Sequence, residues 1–546
     1  MFVDTCKSGK YKRVLLRTSY RENGKVKHKT VGNLTGCTEE EIEAVKLALR
    51  HKDDLTNLGN IREDVQASQG RRFGDIWLVY QKARELGIEK ALGKSRQGKL
   101  ALWQVIARVI DQGSRLSAVR LAANSATGDI LDFAKGFCED DLYRNLEWMS
   151  DNQSNIEKKL FRRQDNSGEQ YYLYDVTSCY LEGMDNHFAA FGYNRDGKKG
   201  KRQITIGLLC DGNGIPVSVE VFQGNTSDMS TVSSQLNKLA EDFGAENIAL
   251  VGDRGMIKAP QIDDITSETY RFNYITALDK KEINTLLKDE TLQMELFDEK
   301  LTEVIEGGVR YILRRNPERK ADIEKNRTEK IAAVNRYIEQ QNQYLIEHPK
   351  ARTEVAERRI REKIEKLNIA DFLRIEKNGK RQFTYSIDKD TLQKTAKLDG
   401  CYVIKTDIER ADADKDEIHN RYKDLAKVEW AFRTSKKEVL EMQPVHVRTE
   451  KSTRGHVFVI MMAYMITQAL RQEWQNLDIT VPEGLDALSS LCTVGVSITE
   501  AAKCNKLPQP NEMTRKLLDA ANVTLPEAIP RKNIKIDTRH KLRNNS

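Results

Sequence analysis

The chain has 546 residues, 39% hydrophobic and 31% charged, with a formal net charge of +7. That length has room for about three domains, and that composition excludes an intrinsically disordered chain. Eight scattered cysteines without a Cys-x-x-Cys pair exclude a zinc knuckle; no signal-peptide pattern opens the chain, and its longest apolar run, 457–466, is too short to cross a bilayer. A reducing cytoplasm with the cysteines as thiols is the expected compartment. Residues 1–70 read as a small β unit and a helix. Strand-like runs at 11–20 and 26–31 flank the turn Glu22-Asn23-Gly24, and Thr38 with Glu41 three residues on forms a capping box. Residues 71–165 are helical in pattern, with Trp77, Tyr80 and Ala83 at helix spacing, a stop at Gly87, an apolar stretch at 102–110 and a further helix at 114–124. Such a block serves either DNA binding or packing.

The pattern changes at Glu169. Strands at 171–175, 203–210 and 215–222 come first, the last two joined by the turn Asp211-Gly212-Asn213-Gly214. A helix (230–242), a strand (247–253), a helix (258–267) and a strand (270–277) follow. This α/β order resembles the ribonuclease H-like mixed sheet over residues 166–280. Residues 281–399 interrupt it as a large insertion before the last helix. Strands near 296–304 and 309–313 lead into a charged helical stretch, 318–367, that Pro349 splits into a hairpin. Those helices read equally as a solvated spacer or a DNA contact. The core resumes over 400–475 with a strand at 401–405 and the helix bearing Glu429, and 476–546 reads as a helical region with a basic tail.

Charge is clustered. Residues 1–35 hold nine Lys/Arg against Asp4 and Glu22; Arg195, Lys198, Lys199, Lys201 and Arg202 stand against Asp196; Arg531, Lys532, Lys535, Arg539, Lys541 and Arg543 fill the tail. Three separated basic clusters suit a polyanion touching several parts of the protein, although each alone also reads as a solvated surface.

Three acids are candidates for chemistry. Asp175 and Asp253 each end an apolar run, and Glu429 lies mid-helix, 176 residues after Asp253. Carboxylates converging from separate rigid elements can hold two Mg²⁺ ions about 4 Å apart for in-line phosphoryl transfer, with Mn²⁺ as a substitute. Each acid alone reads as a turn cap or an intrahelical ion-pair partner. On an ideal helix Tyr422, Leu425, Arg433 and Lys436 share the face of Glu429, a polar stripe able to neutralise DNA phosphate. Trp430 reads as a core anchor or a stacking surface for an unpaired base. Arg254 and His456 are further DNA-binding candidates by sequence position.

Tyr422, Glu429 and Lys436 match the Tyr-x2-Arg-x3-Glu-x6-Lys spacing of a group of DDE transposases of bacterial insertion sequences, with Leu425 in place of the arginine. Tyr-Asp175-Val-Thr-Ser resembles that group's first-aspartate motif and Gly-Asp253-Arg-Gly its second. Gly-Asn225-Thr226-Ser-Asp228 resembles its loop after the third strand, and Thr453-Arg454-Gly455-His456 the segment closing the core. The resemblance covers about 165–280 and 400–475. It implies Asp175, Asp253 and Glu429 as catalytic metal ligands, and cut-and-paste transposition through a flanking hairpin. It also implies DNA partners (terminal inverted repeats and target), a homodimer in a synaptic complex without a membrane, and a nucleoid-associated bacterial enzyme. A ribonuclease H-like nuclease and an inactive transposase-derived DNA-binding protein are the alternatives.

Overall fold

The computed structural model describes residues 1–8, 11–53, 65–163, 170–183, 185–498, 502–529 and 534–539. Arg531, Lys532, Lys541 and Arg543 of the basic tail lie outside them, as does Glu169. The chain divides into two compact units: 1–75, 124–132 and 486–533 form one, and 76–123, 133–485 and 534–546 the other. Among the described residues no helix is long and apolar enough to cross a membrane.

In the first unit three antiparallel strands, Phe2–Ser8, Tyr11–Glu22 and Lys25–Asn33, form a sheet. Glu22 pairs with Lys25 across Asn23 (φ 50°) and Gly24 (φ 79°). Two left-handed residues give the turn a twist that matches the strands. Thr38 accepts from the Glu41 N–H at 3.3 Å and donates its own N–H to the Glu41 carboxylate at 2.8 Å, closing the expected capping box at the start of Glu39–Arg50. The region after 476 holds the helices Val481–Ser489 and Glu512–Ala520, but it is not helical throughout. Cys492–Ile498 and Ala502–Lys506 are strands, and the first pairs antiparallel with Val65–Arg72. Gly70 is needed there, because a Cβ would fall 1.2 Å from the Thr493 carbonyl oxygen.

The second unit carries an eight-stranded mixed sheet. Its strands are β1 (Gln170–Tyr180), β2 (Gln203–Asp211), β3 (Pro216–Gln223), β4 (Ile248–Val251), β5 (Asn273–Ala277), β6 (Thr302–Glu306), β7 (Val309–Arg315) and β8 (Cys401–Thr406). Their spatial order is β6-β7-β8-β5-β4-β1-β2-β3. β1, β2 and β3 form an antiparallel meander, whereas β4 runs parallel to both β1 and β5. Asp211 holds the β2–β3 turn by accepting from the Asn213 and Ile215 N–H groups at 2.9 and 2.8 Å. The hairpin β6–β7, expected within the insertion, extends the core sheet through β8.

One face of this sheet sends Tyr172, Tyr174, Val176, Leu209, Leu250 and Tyr274 into a core with Val232, Leu236, Leu239 and Ile265 of the flanking helical segments. The helix Glu450–Glu473 packs along Glu139–Phe161, Arg96–Ile110 and β3. The helical block before the sheet therefore contributes core: residues 100–109 of Arg96–Ile110 are all buried. The insertion has its own apolar cluster. Val334, Ile338 and Leu345 of Pro317–Glu347 meet Ala356, Ile360 and Ile364 of Thr353–Lys366, and Phe383 closes it from the hairpin Leu373–Asn378/Gln382–Ile387. Pro349 lies between the two helices.

Candidate active site

Leu173 of β1 is the parallel partner of Val251 of β4. Two residues beyond that last pair stand Asp175, still in β1, and Asp253, in the turn after β4, so both acids emerge at the same end of the β1–β4 pairing. Asp175 was expected at the end of a strand, 171–175. Instead β1 continues to Tyr180, because β2 accompanies it along its length and pairs Leu208 with Asp175. Only the pairing with β4 stops short. Since Tyr174 and Val176 enter the core, alternation places Asp175 on the opposite sheet face. The helix Leu425–Arg433, bearing Glu429, packs against β1 and β2.

Asp253 opens a tight turn: its carboxylate accepts from the Gly255 N–H at 2.7 Å, and its carbonyl accepts from Met256 at 3.0 Å. Its side chain and that of Glu429 are exposed, while Asp175 is half-buried. Burial pushes the Asp175 carboxyl up to about 7; the Val176 N–H, 2.7 Å away, opposes this, the charges of Asp253 and Glu429 add to it, and Arg195 opposes it. Burial likewise pushes the Tyr422 hydroxyl up to about 12, with Asp253 and Glu429 raising it and Arg254 lowering it. Asp175, Asp253, Glu429, Tyr422 and Arg254 thus share one electrostatic field. Among the described residues no three His, Cys, Asp or Glu side chains are grouped closely enough to hold a metal ion. A cleft of about 840 Å³ lies where the strands begin, lined by Gln170, Asn247, Arg271 and Asn273 among others, and contains none of these acids.

The proposed stripe along one helix face is not regular. Lys415–Lys423 and Leu425–Arg433 meet at Asp424, and Thr434–Glu438 is a π-helical turn. The wider turn shifts later residues around the axis relative to an ideal helix. Arg433 is exposed and lies 5.6 Å from the Trp430 ring, which Arg471 approaches at 4.1 Å. Trp430 is therefore a half-buried partner of two arginines. Leu425 begins its helix.

Two DNA-contact candidates require correction. Lys436 is turned inward: its ammonium lies 3.0 Å from Asp196, with the two side chains only 10% and 9% exposed. His456 is buried, with its Nδ1 3.1 Å from the Arg115 guanidinium, and burial holds its imidazole well below the usual range, Arg115 and Arg108 adding to this. His456 follows Gly455, where a Cβ would lie 2.0 Å from the Leu146 carbonyl oxygen. This close helix crossing directs the segment into packing.

Sequence reasoning missed the arrangement around Arg195. It counted as one member of a basic cluster, yet its N–H donates to the Ser178 hydroxyl at 3.1 Å and its guanidinium pairs with Asp228 at 2.5 Å. The signal was available in Gly-Asn225-Thr226-Ser-Asp228, but only tertiary structure supplies that aspartate's partner.

Residues 3–67 match the family model described as "IS1634 family transposase, N-terminal domain". No curated protein matches the chain. Among solved structures, one described as "Cryo-EM structure of piggyBac transposase synaptic complex with hairpin DNA (SNHP)" aligns at 11% identity, covering 86% of this chain and 89% of that chain. Its TM-score is 0.37, too low to carry an argument. The chain is similar, through its N-terminal segment, to insertion-sequence transposases of the IS1634 family, and this match supports reading it as a transposase.

Proposed function

We propose that this chain is a DDE transposase with a ribonuclease H-like core. On this reading Asp175, Asp253 and Glu429 are its catalytic carboxylates. The observation that carries the reading is that Asp175 and Asp253 emerge at the same end of the β1–β4 pairing, with the charges of Asp253 and Glu429 both reaching Asp175. The order β3-β2-β1-β4-β5, antiparallel then parallel, supports the fold assignment. The donor set is entirely oxygen and its charges repel one another, the chemistry that hard cations such as two Mg²⁺, or Mn²⁺, take; the three acids would have to draw closer than in this structure to share them. When bound, such ions supply activation of a nucleophilic oxygen and stabilisation of a leaving one.

The chain's own residues bind and orient DNA. Tyr422 keeps its phenolic proton at neutral pH and can donate it to a phosphate oxygen. Exposed Arg254 and Arg433 supply cations near the acids. Arg195 offsets part of the negative charge around Asp175. The substrates are the element's terminal inverted repeats and a target DNA, brought together by two copies of the chain at the bacterial nucleoid. Cleavage followed by joining distinguishes this enzyme from a simple nuclease.

The test is Mg²⁺-dependent nicking and strand transfer of labelled end DNA. Wild type should cut and join, whereas Asp253→Ala should do neither; wild-type nicking by Asp253→Ala would defeat the assignment. Cutting without joining would leave the nuclease reading.

A further inference from the structure

We propose that the connection between β1 and β2 carries a platform for an unstacked DNA base, built on Tyr193 beside the catalytic acids. This rests on the transposase reading, which makes DNA the substrate. Phe191 and Tyr193 are 63% and 82% exposed, unusual for large aromatic rings. Cations accompany them: Arg202 lies 5.5 Å from the Phe191 ring, Arg195 5.9 Å from that of Tyr193, and Lys198 5.6 Å from that of Tyr180. Exposed rings interleaved with cations form the surface on which single-stranded bases stack while their phosphates are neutralised. A base within a duplex already stacks on its neighbours, so only an extruded or unpaired base can use it.

The platform is held in place from below. Buried Gln203 donates from its amide to the Tyr193 carbonyl at 3.0 Å and to the Gly224 carbonyl at 2.9 Å. Asn194 accepts from the Asp196 and Lys198 N–H groups at 3.0 and 3.1 Å. The Lys436–Asp196 pair ties the same loop to the segment following the Glu429 helix. This anchoring reduces the ordering cost of binding.

A cleft of about 290 Å³ adjoins the ring, lined among others by Arg195, Gln203, Asn225, Thr226 and Asp228, and it reaches Gly255, two residues from Asp253. Its volume is near the lower limit of small-molecule pockets, about 300 Å³. Among the described residues the Gln203 Oε1 has no hydrogen-bond partner, and the two carbonyls its amide nitrogen serves fix that orientation. The cleft wall therefore combines a π surface, a cation and polar groups suited to a base edge.

The test uses the full-length protein in EDTA, so binding is read without cleavage. The probes are a short DNA duplex with one unpaired 2-aminopurine and the same duplex fully paired. Wild type should favour the unpaired probe and change its fluorescence. Tyr193→Ala should weaken that complex about tenfold, while Tyr193→Trp retains it. All three proteins should bind the paired duplex alike and share one Tm, because the ring lies outside the core. Unchanged binding of the unpaired probe by Tyr193→Ala, or equal weakening on both probes, would overturn the platform. If wild type binds both probes equally, the platform fails while the transposase reading stands; if it binds neither, both fail.

Discussion

Lys436 and Asp196 form a nearly buried ion pair at 3.0 Å that joins the segment after Glu429 to the loop bearing Tyr193 and Arg195. Removing one partner from a buried pair leaves an uncompensated charge, at a cost of about 3 kcal/mol. Lys436→Met and Asp196→Asn should each lower Tm, and the double variant should lose less than the sum of the single losses. Thermal melts of the four proteins check this. Because Asp196 already neutralises Lys436, the salt dependence of DNA binding should not follow a direct phosphate contact. A slope reduced by about one in Lys436→Met, with Tm intact, would restore that contact.

Asp228 orients Arg195 through a pair whose side chains are 32% and 26% exposed, so it adds less than about 1 kcal/mol to stability. Asp228→Ala should therefore leave Tm almost unchanged while reducing Mg²⁺-dependent nicking. Loss of Tm with full nicking would make the pair structural only.

Glu157 gives a pH prediction independent of the acids. It is buried against β3, accepting from the Val219 N–H at 3.2 Å and the Gln153 amide at 2.7 Å, with Lys238 at 3.3 Å. Burial raises its carboxyl above the ordinary glutamate range, Lys238 and the hydrogen bonds opposing. A folded-state value above the unfolded one contributes stability below the ordinary range, lost as pH rises through the raised value. Glu157→Gln should remove that component. The Tm difference, variant minus wild type, should become more positive from pH 5 to pH 8; a flat difference would contradict it.

Gly455 sets the approach of two helices, since a Cβ there would lie 2.0 Å from the Leu146 carbonyl oxygen. Gly455→Ala should destabilise the fold by about 1–3 kcal/mol through forced separation. Denaturant titration followed by circular dichroism would show it, and an unchanged midpoint would mean that the crossing is adjustable.

Local chemistry was legible in the sequence. Thr38 and Glu41 announced a helix start, Asn23-Gly24 and Asp211–Gly214 announced turns, and the order of strands and helices after residue 170 followed from periodicity. Pairing between distant segments was not: nothing near Val65 names Ile498 as its partner, and nothing near Val309 names Thr406 as the neighbour of Arg310. Side-chain direction failed where ideal helix geometry failed. Lys436 follows the start of a π-helical turn, and His456 sits at a helix crossing that Gly455 permits. The placement of Asp175 and Asp253 lies between these cases. Two apolar runs suggested strands, but their parallel adjacency came only from the sheet.

Arg315 at the end of β7 and Cys401 at the start of β8 are direct cross-strand partners. The intervening chain, with its own apolar cluster, therefore leaves the sheet and returns to it at adjacent backbone positions. Topologically this is a hairpin loop enlarged into a module. Such a graft point lets the module lengthen, shrink or be replaced by a short turn without changing the order of any strand. The sheet and this appendage can thus diverge at independent rates, and a chain shortened between these positions should still close the same sheet.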